Sequence, residues 1–359
     1  MNLKNNPTLK NLFLTVTILF YVLSNSVSAI ELTADELTTD ELTARNLTAY
    51  EKCVLSKTSN AEVDVLASSI SNTCKIQTQS ANSHYTSPEH QSAIDTRINI
   101  DRSNVYKPFT LMAFKPNFIL PLSYNHSGYD SSLYPDQPDG AATTFDDLEG
   151  QFQISIKTPL VAEIFNKNIS LFAGYTNRSF WQVYNSDISR PFRETNHEPE
   201  LWLQSVSRID IMGFNNRVNI LGLSHQSNGR SGDLSRSWNR IYTQFAFEKQ
   251  SFVFTLKLWS RLNESSLTDD NPDITDYMGH GEFHILYKKN NNTFALMSRN
   301  NIESGFDRGA TELSWSFSIG HRKDMRGYIQ IFSGYGESLI DYNQSVNRIG
   351  FGISLSDWL

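Results

Sequence analysis

Period-two alternation is the feature that most narrows what this chain can fold into, and it recurs from about residue 106 to the C-terminus. Phe252, Phe254, Leu256 and Leu258 alternate with Val253, Thr255, Lys257 and Trp259. Leu313, Trp315, Phe317 and Ile319 alternate with Ser314, Ser316 and Ser318, and Ile349, Phe351, Ile353 and Leu355 with Gly350, Gly352 and Ser354. Residues two apart on a strand share a face, so each segment carries one greasy side and one polar or tiny side. After the run Leu12–Leu23, no apolar stretch approaches the ~18 residues that a membrane-crossing helix needs. A helical membrane protein is excluded. A membrane β-barrel is not, because its apolar face shows only at every second residue.

Composition points the same way. Of 359 residues only 19% are charged while 12% are aromatic, a low and a high share for a soluble enzyme. A net charge of −7 without a basic stretch gives nothing to neutralise phosphates, which argues against nucleic acid as a partner.

A soluble sandwich also alternates, and the connections separate the two cases. Twelve candidate strands fall near 109–122, 146–160, 168–178, 198–207, 215–227, 236–248, 250–261, 278–288, 292–299, 310–321, 326–335 and 345–356. Tight links at 248–250, 289–291 and 321–325 contrast with long ones at 123–145, 179–197 and 262–277. Short turns on one rim, long loops on the other and an even strand count describe an all-β, 12-stranded antiparallel transmembrane barrel, preceded here by a short periplasmic extension. The lumen face would carry Lys257, Trp259, Arg261, Glu282, His284 and Arg240, large polar side chains that fill a small barrel.

The first 29 residues read as a secretory signal: Lys4 and Lys10, then the apolar run, then small residues ending at Ala29. Residues 30–105 form a separate stretch. Residues 31–50 hold four copies of a five-residue repeat (ELTAD, ELTTD, ELTAR, NLTAY), a low-complexity spacer or one coil of a solenoid. Cys53 and Cys74, an even pair in an exported chain, suit a disulfide staple. A polar linker follows over 76–92, and the barrel domain is expected to span 106–359, with ordered structure starting near Tyr106.

The segment 222–242 (GLSHQSNGRSGDLSRSWNRIY) stands apart at the long-loop rim. Leu221, Leu223, His225 and Ser227 share parity on one strand, and Asn239, Ile241, Thr243, Phe245 and Phe247 share it on the next. The apolar members mark the lipid side, so His225, Ser227 and Asn239 continue the greasy face to the edge of the bilayer. A serine hydroxyl needs an adjacent base to become a nucleophile, and His two residues away can approach it. Asn on the neighbouring strand can bond the far imidazole nitrogen, giving a Ser-His-Asn triad. A neutral Asn stabilises the imidazolium less than a carboxylate, so such a triad needs strong help at the oxyanion. A lone His-x-Ser on a strand is a coincidence in most proteins; barrel parity and Asn239 raise this one above that.

The block around His225 resembles the signature of the outer membrane phospholipase A family, calcium-dependent acyl hydrolases of Gram-negative bacteria. The resemblance extends to residues 114–121 (FKPNFILP), 191–196 (PFRETN), 269–274 (DDNPDI) and 334–342 (GYGESLIDY), and so covers about 106–359. It implies hydrolysis of phospholipids and lysophospholipids (phospholipase A1 and A2 activity) at the outer membrane. It implies Ser227 as nucleophile, His225 as base, Asn239 as orienter and a backbone oxyanion donor at Gly229. It also implies activation by Ca²⁺ and by homodimerisation. The ion would be held by the carbonyls of Arg230 and Ser235 and by Ser189 of the other subunit, oxygens that suit a hard cation. Two positions depart from the family: Asn177, where a longer Gln is common on the dimer face, and Arg190, where a small residue is common.

Other readings stay in view. His280, Glu282 and His284 resemble a metal cluster but, on a strand, all point to the lumen; the acidic loop Asp269–Asp273 reads as a solvated loop or a further calcium site. The chief competing function is an outer-membrane pore with His225 and Ser227 inert. An adhesive surface protein working through its N-terminal repeats is another.

Overall fold

The computed structural model describes residues 92–359 except 106, 108–109, 133, 137–141, 163, 165–168, 189, 266–268, 323–324 and 359. The expected signal segment, the repeats and the Cys53–Cys74 pair lie outside the described residues.

Twelve antiparallel strands close into a barrel. A two-residue strand β1 (Met112–Ala113) precedes β2 (Asn117–Asn125), β3 (Leu148–Val161), β4 (Ile169–Trp181), β5 (Phe192–Ile211), β6 (Phe214–Ser227), β7 (Ser237–Lys249) and β8 (Phe252–Arg261). Then come β9 (Gly281–Lys289), β10 (Asn292–Asn300), β11 (Gly309–Ser318), β12 (Arg326–Tyr335) and β13 (Ser345–Ser356). Each of β2–β13 pairs with its sequence neighbours, and β13 pairs with β2 to complete the ring, leaving no open edge. The expected first strand near 109–122 is broken at Lys115–Pro116: proline has no N–H for the ladder, so β1 only bridges to β3 before β2 begins.

The two faces are inverted relative to a soluble protein. Leu313 (44% exposed) and Trp315 (36%) point outward while Ser314 (4%) and Ser316 (2%) point in. Outward aromatics gather near both rims, Phe252 against Tyr287 by the short turns and Trp181 against Phe192 by the long loops, as in the aromatic girdles of membrane barrels. Three hairpins at the short-turn rim, β5–β6, β7–β8 and β9–β10, close through two residues, with Met212 and Gly213 both at positive φ (56° and 80°) between β5 and β6. That is the turn whose twist matches a β-hairpin.

Inside, opposite charges are paired. Lys115 bridges Glu198 (2.6 Å) and Glu200 (2.7 Å), Arg193 and Arg348 share Glu149 (3.0 and 2.9 Å), and Arg348 also holds Glu337 (2.7 Å). Such pairs are tolerated in a dry interior only with mutual compensation, which these networks provide. Lys257 and Arg240 belong to them, through Glu200 and Glu198. Glu282 and His284 pair with each other at 3.2 Å, but His280 departs from the expected inward row: it precedes β9, at the rim beside Glu303.

Ordered structure begins before Tyr106. Helix α1 (Ala93–Val105) sits within the lumen, with Ile94 and Ile98 against Ala246, Val253, Leu286 and Ala295. Ser92 accepts the amide of Asp95 (2.9 Å) at the helix start, as an N-cap does. Glu248 accepts from the Ala93 amide (2.9 Å), Asp101 pairs with Lys157 (2.5 Å) and Asp95 with Arg217. The space the lumen retains is about 330 Å³, lined among others by Arg97, Asp101, Lys157, Glu198 and Arg240.

Candidate active site

The register of β6 and β7 sets the site. His225 lies directly opposite Asn239 and Ser227 opposite Ser237. Both strands are held from behind by their inward residues: Ser224 Oγ donates to Glu198 (3.0 Å), Trp238 Nε1 to Gln226 Oε1 (2.9 Å), and Arg240 reaches Glu198 (2.7 Å). Gly222, also inward, is required by its neighbour, because a Cβ there would lie 2.5 Å from the Tyr242 ring. With the lumen side pinned, the alternating residues are presented outward on a fixed backbone.

On that outer side, His225 Nδ1 and Asn239 Oδ1 are 2.9 Å apart. Asn239 Nδ2 donates to Glu264 Oε1 at 3.1 Å, which orients the amide with its oxygen toward the ring. Nδ1 therefore carries the imidazole proton, and Nε2 is left as the basic nitrogen. Ser227, two residues on along the same strand face, is flanked by His197 of β5 and Ser237 of β7.

The loop that follows is tightly built. Asn228, buried at 5% exposure, takes the amides of Arg230 (3.3 Å) and Arg236 (3.0 Å) on its oxygen and donates to the Leu234 carbonyl (2.8 Å). Gly229 and Gly232 adopt φ of +65° and +64°, which L side chains rarely tolerate. The clip folds residues 228–236 so that Gly229, Arg230 and Ser235 belong to one short loop at the rim.

This loop suits a hard cation. The Arg230 and Ser235 carbonyls would offer it neutral oxygens, and the Ser235 hydroxyl donates to Asp270 (2.6 Å), bringing a carboxylate alongside. The Ser235 carbonyl already accepts from Arg236 at 2.6 Å, but a carbonyl has a second lone pair. Ser189 lies outside the described residues. Arg190 adopts φ +54° and its carbonyl accepts from Trp181 Nε1 at 2.9 Å. Asn177 is bonded to Ser179 and His197. In the acidic loop, Asp269 is taken by Arg261 (2.5 Å), Asp270 by Ser235 and Asp273 by Tyr342.

Glu264, Asn228 and His197 are site residues that sequence reasoning missed. His197 shares strand parity with the outward Pro199 and Leu201 but lies before the expected strand start at 198, and Glu264 had no local signal at all.

Comparison with known proteins follows the same outline. A sequence model of phospholipase A1 matches residues 94–355. Phospholipase A1 of Escherichia coli K12 is 38% identical over 250 residues, covering 70% of this chain and 83% of that protein. The chain belongs to the phospholipase A1 family. A putative phospholipase A1 of Neisseria meningitidis serogroup B is 35% identical over 271 residues, covering 72% of this chain and 69% of that one. Among solved structures, the outer membrane phospholipase of Salmonella typhi, a dimer with bound calcium, superposes with a TM-score of 0.64 at 36% identity, over 71% of this chain and 95% of that one. Outer membrane phospholipase A from Escherichia coli gives the same TM-score of 0.64 at 37% identity, over 70% of this chain and all (100%) of that one. The phospholipase A1 match begins within α1, so the lumen helix belongs to the family unit rather than to the N-terminal stretch.

Proposed function

We propose that this chain is an outer-membrane phospholipase that hydrolyses acyl esters of phospholipids and lysophospholipids, at both glycerol positions, with Ser227, His225 and Asn239 as its triad. The observation that carries the reading is the outward-facing His225–Asn239 pair at 2.9 Å, two residues from Ser227 and at the edge of the lipid-facing surface. A polar, fixed imidazole is poorly placed there for packing and well placed for a substrate held in the membrane.

In this mechanism Ser227 Oγ attacks the ester carbonyl while His225 Nε2 takes its proton. Asn239 holds the imidazolium through Nδ1–H, and Glu264, by fixing the amide, keeps the tautomer from inverting. The Gly229 amide receives the oxyanion. His225 then returns the proton to the leaving glycerol oxygen, and water hydrolyses the acyl-serine by the same route. Arg230 and Ser235 carbonyls, with Ser189 of a second copy, would hold Ca²⁺, which supplies Lewis-acid stabilisation of developing negative charge when bound. Dimerisation thereby completes the ion site. The paired charges and α1 within the lumen speak against the competing pore.

The test is fatty-acid release from phospholipid in mixed micelles, with calcium, with EDTA, and for Ser227→Ala. Release that needs both calcium and Ser227 supports the reading. No release from folded, dimer-competent protein, or conductance in liposomes unaffected by Ser227→Ala, overturns it.

A further inference from the structure

A second imidazole faces the membrane side beside Ser227. Asn177, His197 and Ser227 lie in one row across β4, β5 and β6, each directly opposite the next. Among the described residues the ring of His197 is bonded through Nδ1 only. Tyr175 Oη is 2.6 Å from its Nδ1, and Asn177 Nδ2 is 3.4 Å from the same atom. Asn177 faces the imidazole through Nδ2, and the Ser179 hydroxyl donates to its Oδ1 at 3.0 Å. An amide N–H and a phenol O–H can both donate to Nδ1 only if that nitrogen is bare. In that tautomer Nε2 carries the proton and serves as a donor.

That donor edge lies next to the loop glycine. A Cβ placed on Gly229 would be 3.8 Å from both Nε2 and Cδ2 of His197. His197 is then in the opposite tautomer to His225: one ring presents a base and the other an N–H, His225 two residues along the strand from Ser227 and His197 across the strand pair from it. An Asn triad stabilises the imidazolium less than an Asp triad does, so more of the barrier has to be lowered at the oxyanion, and a fixed side-chain donor does this without rearranging.

We propose that His197 is a second oxyanion donor, its Nε2–H acting beside the backbone amide of Gly229, with Tyr175 and Asn177 as the positioning residues that fix its tautomer. The shorter amide at Asn177 is then matched to its neighbour: it reaches His197 Nδ1 across the strand pair. The inference rests on the reading of Ser227 as nucleophile.

The experiment compares His197→Phe and His197→Gln with the parent chain on two substrates, a phospholipid and an uncharged nitrophenyl ester without phosphate, in calcium-containing micelles. Ser227→Ala runs alongside, and folding and crosslinked dimer yield are measured for each variant. Loss of an oxyanion donor lowers kcat about 100-fold. His197→Phe should show this on both substrates with KM little changed, and His197→Gln, which keeps an N–H, should regain at least part of the loss. A loss confined to the phospholipid, or expressed in KM, overturns the proposal in favour of headgroup binding. Wild-type rates in His197→Phe, or rates lost in step with dimer yield, overturn it too. If Ser227→Ala is inactive while His197→Phe is not, the inference fails and the phospholipase reading stands. If Ser227→Ala retains activity, that reading fails first.

Discussion

The two sides of the β6–β7 pair are built to opposite rules. Facing the lumen, Ser224, Gln226, Trp238 and Arg240 are tied to one another and to Glu198, and Arg240 also stacks over Trp238 with 4.1 Å between its guanidinium carbon and the ring centroid. Facing outward, one residue away along the same backbones, His225 has one side-chain hydrogen bond partner among the described residues, Asn239, and Asn239 has one more, Glu264. The lumen face uses its polar groups to fix geometry; the outer face leaves His225 Nε2 and the Ser227 hydroxyl, the proposed base and nucleophile, open to substrate. A strand makes this division possible because adjacent side chains share a backbone but not an environment. Rigidity is supplied from behind the chemistry, and the site needs no cavity of its own.

If that division is right, the largest effect comes from the outer face. Ser227→Ala should reduce fatty-acid release by at least about 10⁴-fold while the barrel keeps its heat-modifiable mobility on gels, since among the described residues no side-chain hydrogen bond of Ser227 supports the fold. Asn239→Ala should cost about 10³-fold in kcat by freeing the His225 ring to adopt the wrong tautomer. Its KM for phospholipid should change little. A substitution at Asn239 that leaves kcat intact would mean the imidazole is oriented by something else and would dissolve the contrast between the two faces.

Much of this contrast was legible in the sequence, and the reason is periodicity. Leu221, Leu223 and His225 share a face whatever the surroundings, so placing His225 and Asn239 on the lipid side required only strand parity. Strand number and the long-loop rim were readable from link lengths. Helix α1 was not: Ile94 and Ile98 are its apolar pair, the rest of its surface meets a charged lumen, and a segment such as that reads as a polar linker until its container is known. The length of β5, Phe192–Ile211 against an expected 198–207, was hidden for a related reason. Its outer end carries Arg193, Glu194 and Asn196, which look like loop residues and are in fact lumen side chains paired across the barrel. Glu264 and His197 join the site through loop folding and lateral pairing, neither of which leaves a local pattern.

The inner face should fail differently. Glu198 compensates Lys115 and Arg240 and receives the Ser224 hydroxyl. Glu198→Gln leaves Lys115 with Glu200 alone and Arg240 without a carboxylate partner among the described residues, at a cost of about 3 kcal/mol. The expected result is a lower urea midpoint for loss of heat-modifiable mobility, with kcat within about tenfold of the parent for molecules that remain folded. A variant as stable as the parent but inactive would show that the lumen network takes part in catalysis rather than supporting it.

The smallest effect sharpens the boundary between the faces. Glu264 approaches from the loop after β8 and touches only the amide of Asn239 among the triad residues. Glu264→Gln keeps an oxygen to accept from Asn239 Nδ2 but removes the charge. Hydrogen bonds to charged groups exceed neutral ones by about 1 kcal/mol, so the imidazolium formed in the transition state should lose about fivefold in kcat. Glu264→Ala removes the acceptor altogether and lets the amide turn over, so its loss should approach that of Asn239→Ala. Measured together, the three rates order the contributions of orientation and charge: a Gln variant as slow as the Ala variant assigns the effect to the carboxylate charge. A Gln variant at the parent rate, with a slow Ala variant, assigns it to orientation alone, and parent rates in both remove Glu264 from the site.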